Sequence, residues 1–171
     1  LALIGLAGGV ALFIGPRWNR AEALQLVNEA ALPGACQETR YTRFHDSQDR
    51  QRPLIILLHG LTNCPWEMND LATALFDAGH DVMVPRVPGH GTTSSDLETL
   101  NRADLLAFET QLIARAHGRS DHVYLLGTSF GGIIAIHAAQ LFPQYVRGVL
   151  LLSPFLATAY DSILSVACAE I

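Results

Sequence analysis

The sequence predicts an α/β domain whose mainly parallel sheet is covered by helices on both faces. Between residues 53 and 152, four short apolar segments alternate with three segments of helical periodicity. The apolar segments are continuous runs, as expected for strands that are buried on both faces. Half of the 171 residues are hydrophobic and only 16% are charged, which suffices for a core and excludes a disordered chain.

The first half of this alternation runs from residue 54 to residue 84. Leu54–Leu58 (LIILL) is a continuous apolar run that predicts a buried strand. Residues 66–78 place apolar side chains on one helical face, and Gly79 ends that helix. Residues 81–84 then form the second strand, which a proline closes.

The second half contains two helices and two strands. Residues 102–117 carry an apolar stripe at helical spacing, and residues 130–141 form a helix rich in alanine and isoleucine. Residues 122–126 and 146–152 are the third and fourth strands. Strands that alternate with helices imply right-handed βαβ units, in which functional sites lie at the carboxyl ends of the strands.

The first residues of the chain form an apolar segment without charges, Leu1–Ile14, which is followed by Arg17, Trp18 and Arg20. As a helix, fourteen residues would span roughly 21 Å of the ~30 Å hydrocarbon core, so residues upstream of Leu1 would have to supply the rest. The aromatic and basic flank favours a membrane anchor. A signal-peptide core and a buried helix stay open as alternatives. We expect a membrane-associated protein of undecided orientation, with a secreted or periplasmic protein as the alternative.

The chain divides into four regions. Residues 1–18 are the anchor or signal segment, and residues 19–52 hold an N-terminal helix and a first strand around Tyr41–Phe44. Residues 53–157 form the core of the domain. Residues 158–171 begin an apolar helical pattern, interpreted as the start of a lid or of the next helix.

Charge and cysteine content exclude several classes of function. The net charge is −5 and all 11 basic residues are arginine, so the sequence indicates no nucleic-acid surface and offers no Schiff-base lysine. Three widely spaced cysteines make neither a disulfide framework nor a zinc site, and we expect them to be reduced. These are Cys36, Cys64 and Cys168. No metal site is predicted.

The chemistry is expected at the segment Gly127-Thr128-Ser129-Phe130-Gly131, which matches G-x-S-x-G between a predicted strand and a predicted helix. A side chain at either glycine would collide with the other glycine or with the neighbouring strand. The turn is so tight that the serine adopts a strained backbone, which exposes its hydroxyl above the sheet. The alternative is a plain turn in which the serine only caps the helix.

A second loop, His59-Gly60-Leu61, closes the first strand of the alternation. Gly60 lets the chain turn sharply, so the Leu61 amide can face the same space as the Phe130 amide. Two such donors would hold the oxyanion of a tetrahedral intermediate. We expect His59 to be a structural histidine at the strand end.

Three segments carry a family resemblance: LLHGLTNCPWEM, VPGHGTTSSDL and GTSFGG. They resemble the α/β-hydrolase superfamily, closest to its monoglyceride-lipase, lysophospholipase and serine-aminopeptidase-like branch, over about residues 50–157. The resemblance implies the α/β-hydrolase fold, Ser129 as nucleophile, the Leu61 and Phe130 amides as oxyanion hole, a small-molecule or lipid ester as substrate, and no cofactor.

The family order of catalytic groups is serine, acid, histidine. After Ser129 the sequence has one histidine, His137, in the middle of a helix, and the acids Asp161 and Glu170. Asp161 comes too soon after the fourth strand, and we expect His90 to be a structural loop residue. The acid and the base are therefore expected beyond Ile171, with the last strands of the sheet, and this stretch alone is expected to be inactive.

The predicted function is that of a serine hydrolase of carboxylic esters, including lipid-like esters, which acts through an acyl-enzyme. Two alternatives share this sequence pattern. One is a non-catalytic, membrane-tethered binding module with the same fold, and the other is an acyltransferase that passes the acyl group to an alcohol or thiol.

Overall fold

Between residues 54 and 152 the predicted strands and helices occur in the predicted order, with one additional helix. A computed structural model of the chain describes residues 3–5, 11–13, 42–45 and 49–154. The strands are β1 (Leu3–Gly5), β2 (Ala11–Phe13), β3 (Thr42–Arg43), β4 (Leu54–Leu58), β5 (Asp81–Met83), β6 (Val123–Thr128) and β7 (Val146–Leu152). The helices are a 3-10 helix (Pro65–Met68) followed by α1 (Asn69–Asp77), α2 (Ser94–Thr99), α3 (Arg102–Arg119) and α4 (Phe130–Leu141).

A five-stranded sheet with the strand order β3-β5-β4-β6-β7 organises the domain. Strand β4 pairs in parallel with β5 and with β6, and β6 pairs in parallel with β7. Strand β3 lies antiparallel on β5 at one edge. The predicted mainly parallel sheet is confirmed, and its register sets Leu58 beside Gly127, so that β4 and β6 end side by side.

Helices cover both faces of this sheet around β4, as the sequence predicts, whereas β7, which was also expected to be buried on both faces, has no buried residue. On one face, Ile56 and Leu125 belong to a buried cluster with residues of α3 and α4. On the other face, Leu57 and Val82 belong to a second buried cluster, against which α1 packs. Neighbouring residues of β4 therefore face opposite clusters, which explains why the strand is apolar without interruption.

Helix α2 was missed by the sequence analysis, although it has a recognisable start. The Thr93 hydroxyl accepts a hydrogen bond from the Asp96 amide, and the Asp96 carboxylate accepts one from the Thr93 amide. This reciprocal pair is a capping box, a pattern that is legible in sequence. The predicted helix over 66–78 is in fact two elements, because the chain forms a 3-10 turn up to Met68 before α1 begins.

The apolar N-terminal segment contains two short strands in place of continuous helix. Strands β1 and β2 pair antiparallel, with Leu3 opposite Phe13. The sequence between them includes Gly8 and Gly9, and glycine is among the poorest helix formers. In the described parts of the chain, no helix is both long and apolar enough to cross a membrane. The predicted helix over 19–31 and the region 158–171 lie outside the described residues, and the membrane anchor stays a prediction.

Cys64 corrects the expectation that the cysteines are reduced, because it is disulfide-bonded. The other two cysteines, Cys36 and Cys168, both lie outside the described residues. Cysteine spacing did not reveal the bond because a disulfide depends on the distance between two residues in the folded chain.

Candidate active site

Ser129 lies between the end of β6 and the start of α4, where its backbone has φ 50° and ψ −113°. A positive φ is costly for any residue with a side chain, and it persists only where the surrounding structure imposes it. The structure thus places Ser129 in the strained turn that the sequence predicts, after the third parallel strand along the chain.

Close packing explains the two glycines that flank this turn. A Cβ on Gly127 would overlap the carbonyl of Gly131 and lie 2.6 Å from the Cα of Gly132. A Cβ on Gly131 would overlap the carbonyl of Leu58 and lie 2.7 Å from the carbonyl oxygen of His59. The predicted collisions, within the turn and with the neighbouring strand, are both confirmed.

The loop after β4 reaches the same place from the adjacent strand. A Cβ on Gly60 would lie 3.6 Å from the Ser129 Cβ, so the two loops are in contact. The Gly60 carbonyl accepts a hydrogen bond from the Asn63 amide at 3.2 Å, which forms a tight turn that does not use the Leu61 amide. The Phe130 amide is the first of α4 and therefore has no acceptor within that helix.

His59 is fully buried and connects two loops. Its Nε2 lies 3.1 Å from the Val87 amide nitrogen and its Nδ1 lies 2.9 Å from the Gly60 carbonyl oxygen. Because an amide can only donate, Nε2 carries no proton and Nδ1 donates to Gly60. Burial lowers the pKa of His59 to about 3, assisted by His90 and Arg86 and opposed by the bond to Gly60. The ring is therefore a neutral structural group, as the sequence analysis expects.

His90 is buried and lies against Phe130, the residue that follows Ser129. Its Nδ1 lies 2.9 Å from the Pro88 carbonyl, which only accepts, so this nitrogen carries the proton. The ring stacks on Phe130 with centroids 5.5 Å apart and contacts the edge of His59 at 5.4 Å. Burial lowers the pKa of His90, against the bond to Pro88. Its surroundings fit the expected structural loop role.

All seven histidines of the sequence lie among the described residues, and none of them hydrogen-bonds the Ser129 hydroxyl. His137 pairs instead with Glu109, at 2.7 Å between Nδ1 and Oε2, and links α4 to α3. Asp161 and Glu170 lie outside the described residues. Within 42–45 and 49–154, no group of three or more His, Cys, Asp or Glu could hold a metal ion.

Glu67, which the sequence analysis did not single out, is part of this site. Its Oε2 accepts a hydrogen bond from the Gly60 amide at 2.7 Å. No sequence pattern indicates this bond, because the two residues are seven positions apart and an irregular loop separates Gly60 from the 3-10 helix that carries Glu67.

Acid titration of His59 gives a testable prediction. Its pKa is lowered on folding, so between pH 6.5 and about 3 the unfolded chain binds a proton that the folded chain does not. Stability that is present above pH 6.5 is therefore lost as the pH falls, by up to about 1.4 kcal/mol per pH unit. We expect His59→Gln to have a shallower pH dependence of the free energy of unfolding, measured by urea denaturation from pH 7 to pH 4.

A matched control is Leu61→Val, which alters the same loop without removing a titratable group. It should lower stability equally at every pH. Parallel pH profiles for the wild type and His59→Gln would contradict a neutral, buried His59.

The sequence of this chain is similar to those of known proteins. The family model of the α/β-hydrolase fold matches residues 53–166. The chain is 33% identical over 90 residues to a thermostable monoacylglycerol lipase of Bacillus sp. (strain H-257), covering 53% of this chain and 36% of the lipase. It is 29% identical over 116 residues to a carbendazim hydrolyzing esterase of Nocardioides sp. (strain SG-4G), covering 64% of this chain and 45% of the esterase.

Solved structures of lipolytic enzymes are also similar to this chain. A structure from the metagenome-derived lipolytic enzymes LipS and LipT superposes with a TM-score of 0.60 at 29% identity, covering 64% of this chain and 45% of that one. The monoacylglycerol lipase of Paleococcus ferrophilus superposes with a TM-score of 0.53 at 26% identity, covering 63% and 42%. The chain spans less than half the length of these relatives.

Proposed function

Since this chain belongs to the α/β-hydrolase family, we propose that it carries the nucleophile and the oxyanion hole of a serine hydrolase that acts on carboxylic esters. The backbone of Ser129 is the observation that carries the proposal. The turn needs glycine at the two flanking positions, which tolerate no Cβ, but it does not need a serine between them. An exposed nucleophile, in contrast, requires a serine at this strained position.

In the proposed reaction, the Ser129 hydroxyl oxygen attacks the acyl carbon of the ester while its proton passes to a base. The carbonyl oxygen becomes an oxyanion that accepts hydrogen bonds from the Leu61 and Phe130 amides, each contributing about 3 kcal/mol. The alcohol leaves with the proton from the base, and an acyl-enzyme forms. Water then attacks the acyl-enzyme and releases the acid.

The geometry of Gly60 supports the role of the Leu61 amide. The Gly60 carbonyl and the Leu61 N–H belong to one planar peptide group. That carbonyl accepts from the His59 Nδ1 at 2.9 Å and from the Asn63 amide at 3.2 Å. Two donors on the carbonyl hold the peptide in place and polarise its N–H, which strengthens it as a donor.

The base and its orienting acid are proposed to come from residues beyond Ile171 in the full-length protein. Every histidine of this chain either hydrogen-bonds elsewhere or does not reach the Ser129 hydroxyl, and the chain spans less than half of its relatives. A serine without a base is a weak nucleophile, so the isolated chain is proposed to be inactive.

Esters with a lipid-like acyl chain are the proposed substrates. The support is the similarity to proteins described as a monoacylglycerol lipase and as lipolytic enzymes. Attachment to a membrane through residues 1–18 is proposed on the sequence alone.

A fluorophosphonate probe tests this function, because it reacts with a serine that is activated by a base beside an oxyanion hole. In the full-length protein we expect one labelled peptide, which contains Ser129, in tandem mass spectrometry. The 171-residue chain by itself should label slowly or not at all. Labelling at another serine would refute the assignment of the nucleophile, and rapid labelling of the isolated chain would show that the base lies within it.

A further inference from the structure

We infer that Glu67 is a positioning residue of the proposed hydrolase, whose carboxylate holds the Gly60 peptide so that the Leu61 amide faces the reacting oxygen. The inference rests on the proposed function of Ser129. It assigns the second loop of the site, His59-Gly60-Leu61, a dedicated support from a residue seven positions beyond Gly60.

The hydrogen bond from the Gly60 amide to the Glu67 Oε2 is 2.7 Å long, and its acceptor is a carboxylate. A hydrogen bond of this length restrains the direction of the N–H group that donates it. With this bond on its amide, and with His59 and Asn63 donating to its carbonyl, Gly60 is held on both sides. The direction of the following Leu61 N–H is thereby determined.

Glu67 also lies close to the proposed nucleophile. The position of a Cβ on Gly60 would be 3.6 Å from the Glu67 Oε2 and 3.6 Å from the Ser129 Cβ. Gly60 thus separates the carboxylate from the serine, and a shift of this one residue would change the distance between the Leu61 amide and the reacting centre. Misplacement by ~1 Å can cost about 100-fold in rate.

The backbone of Glu67 is firmly attached to the core, although its side chain is exposed. Pro65 and Met68, on either side of it in the 3-10 helix, are buried. The Glu67 amide donates to the Cys64 carbonyl at 3.0 Å, and Cys64 is itself buried and disulfide-bonded. A carboxylate on such a rigid element can restrain a loop, whereas one on a mobile segment could not.

Three substitutions in the full-length protein separate position from charge. Glu67→Ala removes the acceptor, Glu67→Asp keeps the charge but shortens the side chain, and Glu67→Gln keeps an acceptor oxygen without the charge. Asp70→Asn is the matched control, because it removes an exposed carboxylate three residues away. The measurements are kcat and KM for a short-chain p-nitrophenyl ester, and the inhibition constant of a trifluoromethyl ketone that forms a tetrahedral adduct with serine.

We expect Glu67→Ala and Glu67→Asp to lower kcat about 10- to 100-fold with KM within about 2-fold, since an interaction made only in the transition state is weakened. Both should bind the ketone more weakly by a similar factor. Glu67→Gln and Asp70→Asn should stay within about 3-fold of wild type. Such a split between kcat and KM, with rescue by glutamine, would not follow from a general loss of stability.

Three outcomes would overturn the inference. If wild type labels at Ser129 but Glu67→Ala and Glu67→Asp keep wild-type kcat, the positioning role is refuted and the proposed function stands. If Glu67→Gln is as slow as Glu67→Ala, the charge and not the position matters. If wild type does not label at Ser129, the proposed function fails and the inference fails with it. Should Glu67→Ala not fold, Glu67→Asp gives the same decision.

Discussion

Ser129→Ala in the full-length protein is expected to lower ester turnover by about 10⁴-fold or more, while the free energy of unfolding changes by less than about 1 kcal/mol. The substitution removes the proposed nucleophile, so no acyl-enzyme can form. Alanine keeps the Cβ, and the Ser129 side chain makes no capping hydrogen bond with α4. The fold therefore has little to lose. Turnover would be followed with a chromogenic ester, and stability by urea denaturation.

Ser153 provides a matched control for this experiment. It follows β7 directly and also has a positive φ, 46°, in place of ordinary strand geometry. Ser153→Ala removes a hydroxyl from a similarly strained position at the end of the adjacent strand, and it should retain full turnover. Substantial turnover by Ser129→Ala would refute the proposal that Ser129 is the nucleophile. A loss of turnover in Ser153→Ala would show that serines at the ends of these strands affect turnover for a reason other than nucleophilic attack.

Gly131→Ala is expected to lower the free energy of unfolding by more than about 4 kcal/mol, or to prevent folding. The added Cβ would overlap the Leu58 carbonyl and lie 2.7 Å from the His59 carbonyl oxygen, so α4 would have to move away from β4. Neither backbone group can yield by a change of rotamer. For a chain of this size, the loss corresponds to a melting temperature lower by about 10 °C or more.

Gly118→Ala is the control for the effect of glycine itself. Gly118 lies near the end of α3, and a Cβ there would have no neighbour within 4 Å. Alanine is the better helix former, so this variant should be as stable as wild type or more stable by ~0.5–1 kcal/mol. The melting temperatures of Gly131→Ala and Gly118→Ala would be measured by circular dichroism. Equal melting temperatures would contradict the close contact between α4 and the end of β4.

The sequence alone determined the sheet and the location of the turn that bears Ser129. The continuous apolar run of β4 follows from burial on two faces, a condition that appears directly in residue type. Gly131 avoids Leu58 and His59 at the end of the neighbouring strand. Gly127 instead avoids a backbone collision with Gly131, four residues further on, and such a short-range constraint is legible in a linear pattern. For the same reason, the capping box of α2 could have been recognised from the spacing of Thr93 and Asp96.

Only the tertiary structure decided which side chains support the loops of the site. His59 binds the Val87 amide 28 residues away, and Glu67 binds the Gly60 amide across an irregular loop. No local periodicity links these positions, because they meet only after β4 and β5 have paired and the chain beyond each strand has turned back. The disulfide of Cys64 is hidden in the same way. Contacts of this kind depend on distance and direction in the folded chain, whereas sequence patterns record the preferences of neighbouring residues.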